Sequence, residues 1–165
     1  MTGYDAAAWS DFAVAVAGAG AALSGLLFVA VSINIQRILS FAHLPGRAAQ
    51  TLIMLVLPLI VSVLLLIPDQ PGTALSAELI AAGAFGGAAL AWLNRPATRA
   101  EQEKRASWFL SRFLPSATIA ILLIVAGVTL AAGAGGGIYW IAPMVILGFA
   151  AGLGNAWVLL VEILR

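Results

Sequence analysis

Few residues of this chain could take part in catalysis or coordinate a metal ion. The chain has no cysteine and a single histidine, His43, which excludes disulfides and thiolate metal sites and leaves no imidazole cluster within one subunit. The sequence contains no Ser/His/Asp set with a plausible geometry, no HExxH motif and no phosphate-binding loop. We therefore predict a protein that is not an enzyme and that holds neither a metal ion nor another cofactor.

Three polar residues near or inside apolar segments are the remaining candidates for chemistry. Glu78 is the best candidate for a cation or proton site; the alternative is a carboxylate that only reaches interfacial water. Asn155 lies deep in the last apolar segment, where an unsatisfied amide is costly. We expect it to bond to a neighbouring helix, with a polar path as the alternative. Glu162 precedes Arg165 by three residues, a spacing that permits a local helical pair.

The composition indicates the environment in which these residues act. Hydrophobic residues make up 62% of the 165 residues, charged residues 9%, and the mean hydropathy is +1.06. A soluble domain carries roughly 25% charged residues, so the chain is typical of an integral membrane protein. The predicted partners are the lipid bilayer together with a second copy or another membrane protein, and no nucleic acid.

Apolar segments of sufficient length predict an all-α, polytopic transmembrane helix bundle of five spans in one domain, 1–165. A spanning helix needs about 20 mainly apolar residues, and a glycine-rich "GAGGG" turn separates the last two segments. The predicted spans are 12–32, 51–67, 77–93, 116–133 and 139–164.

Charge segregation predicts the orientation of these spans. With five crossings, every basic residue falls on one side, which the positive-inside rule assigns to the cytoplasm. The N-terminus is therefore expected outside and the C-terminus inside. The basic residues are Arg37, Arg47, Arg95, Arg99, Lys104, Arg105, Arg112 and Arg165, and the acidic residues expected outside are Asp5, Asp11, Asp69 and Glu78.

A cytoplasmic helix is expected over 98–114, leading into the fourth span with a bend at Pro115. Thr98 and Glu101 fit a capping box at its start. Trp108 with Arg105 and Arg112 is expected to meet lipid headgroups, since basic residues attract anionic lipid at about 1 kcal/mol each. The alternative is an ordinary positive-inside loop.

Small residues at spacings of three or four predict close helix packing. In lipid, helices associate mainly through tight packing, and glycine or alanine lets two backbones approach. We expect the first span to be enclosed by other helices, whereas the bulky second span faces lipid along much of its surface. The alternative is that some small-residue ridges stay exposed and form an interface with a second copy or a partner. The packing or interface residues are Gly18, Ala22, Gly25, Gly83, Gly87, Gly148 and Gly152.

The run "AALSGLLFVAVSIN", followed closely by a basic residue, resembles the N-terminal signature of a family of small, uncharacterised actinobacterial multi-spanning membrane proteins. The resemblance covers under a fifth of the chain. It implies a multi-pass protein of the bacterial cytoplasmic (inner) membrane and carries no catalytic or binding residues.

These observations predict a non-enzymatic membrane protein that acts as a homo-oligomer or as an accessory or regulatory subunit of a membrane complex. The alternative is an oligomeric ion channel or small-solute permease. A transporter within one chain is disfavoured, because the sequence has neither an internal repeat nor a charge deep inside a span.

Overall fold

The computed structural model describes residues 2–95 and 105–164. Five of its helices are long and apolar enough to cross a membrane, and the described residues contain no strand. The prediction of an all-α bundle with five spans is confirmed, and the chain is a multi-pass membrane protein. The helices are α1 (Ser10–Ile33), α2 (Ile35–Leu39), α3 (Leu44–Leu65), α4 (Gly72–Leu93), α5 (Arg105–Trp108), α6 (Leu114–Ala132) and α7 (Ile141–Leu164).

Two of the spanning helices begin earlier than the apolar segments that predicted them. Helix α3 begins at Leu44 and α4 at Gly72, whereas hydropathy places their first residues at 51 and 77. The first turn of α3 contains Pro45, which suits this position because the first helical amides need no intrahelical acceptor. The added turns carry polar side chains, and these form contacts described below.

Helices α3, α4, α6 and α7 form a ring in which each packs on its two neighbours, and α1 lies outside the ring against α3. The interior of the ring is apolar. Its fully buried side chains include Met54, Val61, Leu79, Leu123 and Met144. The four-helix ring therefore supplies most of the buried core.

Helix α1 is less enclosed than its small residues predict. It buries a narrow seam of residues spaced by three or four, among them Ala13, Gly20 and Leu27. Gly20 lies against Leu59 of α3, so the close approach uses a glycine outside the predicted set. Because α3 supplies most of the contact with α1, one side of α1 is in contact and the other is exposed. The expectation of an enclosed first span is wrong for the single chain.

Helix α3 differs from its prediction in the opposite sense, because it is the central helix of the bundle. It contacts α1, α4 and α7, and only a narrow strip that includes Ile60 and Val63 is exposed. Its bulk explains this position: the Leu57 side chain lies against Gly86 of α4, and Leu55 lies against Gly152 of α7. Large side chains on α3 fill the space that small residues leave on its neighbours.

The helix that precedes α6 contains a wider turn. The α-helical turn Arg105–Trp108 continues into a π-helical turn, Phe109–Phe113, and then into α6. The π turn ends just before Pro115, in the first turn of α6, where a bend was expected. The predicted capping box at 98 and 101 lies outside the described residues, as does the first part of the predicted cytoplasmic helix.

The glycine-rich connection between α6 and α7 is a turn, as its sequence indicates. Gly133, Gly135, Gly136 and Gly137 all have positive φ angles, between 56° and 113°. Residues with a Cβ rarely adopt this region. The chain can therefore reverse direction within a few residues.

Candidate functional site at the basic end of the bundle

The two ends of the bundle carry different charges. At the acidic end lie Asp5, Asp69 and Glu78, and at the basic end lie Arg37, Arg47, Arg95 and Arg112. Among the described residues, the buried polar side chains that link different helices by hydrogen bonds to nitrogen or oxygen lie at the basic end. Which end faces the cytoplasm stays a prediction from the positive-inside rule.

A buried polar cluster at the basic end joins the helices α3, α4 and α6 and the π turn that precedes α6. It consists of Gln50 on α3, Asn94 at the end of α4, Arg112 in the π turn and Ser116 on α6. All four residues are 3% exposed or less. We call this set the basic-end cluster.

The hydrogen bonds of the basic-end cluster are reciprocal. Arg112 Nε donates to Gln50 Oε1 at 3.0 Å, and Gln50 Nε2 donates to the Arg112 carbonyl at 3.3 Å and to Ser116 Oγ at 3.2 Å. Asn94 Nδ2 donates to Ser116 Oγ at 2.9 Å, and Ser116 Oγ donates to the Arg112 carbonyl at 2.6 Å. Hydrogen bonds of this kind hold the ends of α3, α4 and α6 in one relative position.

Arg112 lies where sequence analysis did not place it. It is 2% exposed and bonded to α3, so the expected contact with lipid headgroups is not open to its side chain here. The π turn directs it toward Gln50 instead. Trp108 is half-buried and stacks on Phe113 with ring centroids 5.9 Å apart. Arg105 begins α5, and its side chain lies outside the described part of the chain, so its predicted headgroup role stays a prediction.

A second polar contact joins α3 to the end of α7. Arg47, which is 7% exposed, donates from one terminal guanidinium nitrogen to Glu162 Oε1 at 3.0 Å. His43 Nε2 lies 3.9 Å from the other carboxylate oxygen of Glu162. Glu162 therefore pairs across helices, and the local pair that its spacing to Arg165 permits involves a residue outside the described range.

Asn155 has the inter-helix partner that its depth in the membrane demands. It is 5% exposed, and its Nδ2 donates to the sulfur of Met54 on α3 at 3.5 Å. A thioether is a weak acceptor, so this hydrogen bond is weak. The polar-path alternative has no support here, because Met54 is fully buried in the apolar core.

Glu78 lies at the acidic end and is half-buried. Its carboxylate accepts a hydrogen bond of 2.5 Å from Gln70 Nε2, in the connection before α4. Within residues 2–95 and 105–164, no group of three or more His, Cys, Asp or Glu residues is placed to hold a metal ion. The cation or proton role of Glu78 stays a prediction.

The N-terminal segment closes the acidic end. Tyr4 accepts a hydrogen bond from the Gly136 amide at 3.0 Å through its hydroxyl. Trp9 makes an edge-on contact with Tyr139 at 5.0 Å between ring centroids. A cavity of about 360 Å³ lies between this segment and the α3–α4 connection, with Asp5 and Asp69 in its lining. The N-terminal turns thus tie the start of the chain to the α6–α7 turn.

The seven small residues singled out in the sequence fall into two groups. Gly83 and Gly87 face α6, and Gly148 and Gly152 face α3; a Cβ at any of these four would lie within 3.1 Å of an atom of the facing helix. Gly18, Ala22 and Gly25 lie on the exposed side of α1, and a Cβ at Gly18 or Gly25 would meet nothing within 4 Å. The prediction that these three residues pack against helices of the same chain is therefore wrong. Their role in an interface with another molecule stays a prediction.

Most of the basic-end cluster is not among the predicted site residues, because Gln50 lies before the predicted second span and Asn94 and Ser116 lie at predicted helix ends. Pro45 was the available signal, since proline favours the first turn of a helix. A helix that begins there carries Arg47 and Gln50 on successive turns beside Met54, toward the core. The pairing of Gln50 with Arg112 has no local signal in the sequence.

Comparison with family models, with curated proteins and with solved structures gives no match.

Proposed function

We propose that this chain is a non-enzymatic protein of the bacterial cytoplasmic membrane that works by docking α1 against another transmembrane helix, as a homo-oligomer or as an accessory subunit. The observation that carries this proposal is the side of α1 that holds Gly18, Ala22 and Gly25. It faces away from α3, and within residues 2–95 and 105–164 a Cβ at Gly18 or Gly25 would meet nothing within 4 Å. Small residues in this arrangement let a second backbone approach closely.

The position of α1 supports this role. Gly18 and Ala22 are two residues from Gly20 and Ser24 of the buried seam, and a shift of two residues turns a side chain by about 200° around the helix. The exposed small face is therefore opposite the contact with α3. A helix docked there would leave the ring of α3, α4, α6 and α7 undisturbed.

The polar residues support a structural rather than a catalytic role. The Ser116 hydroxyl, the one buried hydroxyl in the basic-end cluster, donates to a carbonyl of its own helix. A nucleophilic serine would instead donate this hydrogen bond to a general base. Arg112 and Gln50 are bonded to each other, and their bonds join helices.

A pore through a single chain has little to support it. Met54, Leu79, Leu123 and Met144 fill the interior of the ring and are fully buried. A channel would have to place its path between copies. Flux of K⁺, Na⁺, H⁺ or Cl⁻ through proteoliposomes under an ion gradient is the assay for that alternative.

Disulfide cross-linking in native membranes tests the docking proposal directly, because the chain has no cysteine. The variant Ala22→Cys carries the only thiol, on the exposed small face of α1. Under a mild oxidant we expect a cross-linked dimer if a second copy docks there. Light scattering in mild detergent should then give a mass above that of the 16.9 kDa monomer.

The matched control is Val128→Cys, on the lipid-facing side of α6, where the residue is 50% exposed. It should not cross-link. If Ala22→Cys also stays monomeric, a pull-down from native membranes with and without Gly18→Leu tests the accessory-subunit arm. A monomer that captures no membrane protein sensitive to this substitution would refute the proposal.

A further inference from the structure

An apolar groove of about 240 Å³ opens between α1, α2 and α3 at the basic end. Leu27 and Phe28 of α1 form one wall, Ala48 and Ala49 of α3 form the other, and Ile38 of α2 closes its end. The lining side chains are all apolar. The groove is therefore suited to a hydrocarbon chain.

Helix α2, which closes the groove, is amphipathic. In this five-residue helix, Ile35, Ile38 and Leu39 line the groove, whereas Arg37 is exposed. On a helical wheel, Arg37 lies on the side opposite these three residues. Helix α2 is thus an amphipathic turn at the level where a spanning helix leaves the hydrocarbon. Its apolar side faces the slot and its outer side carries a guanidinium, which is the arrangement of an interfacial helix.

The other described groups near the groove leave the charge balance positive. Arg47 lies on the turn of α3 that also carries Ala48, and it is paired with Glu162. His43 faces the same carboxylate. Arg37 is therefore the exposed basic residue on the three helices that line the groove, and the acidic residue near Arg47 already has a cationic partner.

A second apolar groove, of about 340 Å³ between α3 and α4, provides a comparison. Ile53, Ala82, Phe85 and Ala89 line it, and all of its lining residues belong to the two spanning helices. It can take a hydrocarbon chain of any lipid. The groove beside α2 differs because its end is closed by a short amphipathic helix whose outer side carries a cation.

We propose that the groove beside α2 binds an anionic phospholipid, with one acyl chain against Ala49 and Phe28 and the phosphate facing Arg37. The apolar walls favour the acyl chain through burial. The guanidinium favours a headgroup with a net negative charge, because the phosphate of a zwitterionic lipid is already accompanied by the lipid's own cation. The groove adjoins the side of α1 that packs on α3. Lipid binding is therefore separate from docking at the opposite side of α1.

Native mass spectrometry of the purified full chain tests this site. The monomer is titrated with phosphatidylglycerol and, separately, with phosphatidylcholine of the same acyl chains. We expect phosphatidylglycerol to bind about fivefold more tightly, the ratio for one arginine near an anionic headgroup. Because the monomer peak is measured, failure of α1 docking leaves this result unchanged.

Matched substitutions assign the preference to Arg37. Arg37 lies at the surface, so Arg37→Gln should not disturb the fold. It should abolish the preference for phosphatidylglycerol without changing the affinity for phosphatidylcholine. Arg95→Gln removes a different exposed arginine of the basic end and should leave the preference intact. Equal affinity for the two lipids in the unchanged protein would overturn the proposal, as would an equal loss with either arginine variant.

Filling the slot tests the acyl-chain half of the proposal. Ala49→Trp should lower the affinity for both lipids severalfold, whereas Ala89→Trp in the second groove should not alter the ratio between them. If Ala49→Trp does not fold, the arginine pair still decides the outcome. Unchanged binding in a folded Ala49→Trp protein would place the lipid elsewhere and overturn the site.

Discussion

Helices α1 and α4 carry glycines at similar spacings, yet the two sets meet different surroundings. A Cβ at Gly83 of α4 would lie 3.0 Å from the Ala120 carbonyl of α6 and 3.1 Å from the Ile124 amide nitrogen. A Cβ at Gly18 of α1 would meet nothing within 4 Å. Glycine spacing therefore indicates that another helix can approach closely. Whether one does depends on the residues of the facing helix.

The reciprocal nature of the α4–α6 contact explains this difference. Gly127 of α6 faces Ser76 and Ile80 of α4, just as Gly83 faces α6. Small residues on both partners bring the two backbones together over several turns. On α1, only Gly20 of the buried seam meets its neighbour in this way.

The largest effect is expected at the α4–α6 contact. Gly127→Leu would place a Cβ 2.7 Å from the Ser76 carbonyl, so backbone would have to move. We expect a destabilisation of about 3 kcal/mol, seen as a melting temperature lower by roughly 6–12 °C in detergent. The control Ala131→Leu, on the exposed side of the same helix, should melt like the unchanged protein. Similar melting of the two variants would contradict the packing described for α4 and α6.

A smaller effect is expected from the basic-end cluster, which joins α3, α4 and α6 and excludes α1. Gln50→Leu removes the acceptor of Arg112 Nε and a donor to Ser116. Loss of a bond to a buried charged group costs about 2 kcal/mol. Thermal unfolding should show this loss, while the matched variant Gln36→Leu, at an exposed position on α2, should show none. A stabilised Gln50→Leu protein would indicate that the cluster is dispensable for stability.

A smaller loss of stability is expected from a substitution at Gly20, where α1 packs on α3. A Cβ at Gly20 would lie 3.0 Å from the Cβ of Leu59 and 3.5 Å from its backbone nitrogen. Helix α1 packs mainly on α3 at the edge of the bundle and can move outward. We therefore expect Gly20→Leu to cost only about 1 kcal/mol. The measurement is the melting temperature beside that of Gly127→Leu. A larger loss at Gly20 than at Gly127 would reverse the order of the two interfaces.

The smallest effect on the isolated chain is expected at the exposed side of α1. Gly18→Leu should change the free energy of unfolding of the monomer by less than about 0.5 kcal/mol, because nothing lies near the new side chain. Its effect should appear in the oligomer distribution measured by light scattering. Val63→Leu, at a residue of α3 that is 51% exposed, should alter neither quantity. A marked loss of monomer stability in Gly18→Leu would show that α1 is enclosed after all.

The sequence was sufficient to predict the five spanning helices, because bilayer thickness dictates the length of an apolar span. It was insufficient for their arrangement. In lipid, Leu55 and Leu57 are equally apolar whether they face a neighbour or an acyl chain, so hydropathy could not show that α3 is central. Large side chains along all of α3 predict exposure to lipid, but large side chains are also what glycine-bearing neighbours require.

The candidate site was predictable only in part. The depth of Asn155 required an inter-helix partner, and Met54 provides one, but a thioether acceptor carries no sequence signal. Gln50 and Arg112 are 62 positions apart in the chain, and only the assembled bundle brings them together. Hydropathy placed Gln50 outside the membrane because polar first turns lower the average of any window that contains them.

The contact between α3 and α7 has a consequence for the biogenesis of the protein. Pro58 and the Met54 carbonyl of α3 lie against Gly148 of α7, and synthesis proceeds from the N-terminus. During translation, α3, α4 and α6 therefore leave the ribosome before the helix that closes the ring exists. Until α7 inserts, the surface of α3 around Pro58 and the Met54 carbonyl faces lipid or an insertion factor that shields nascent helices. The order of synthesis thus makes α7 the helix that completes the ring, by packing between α3 and α6.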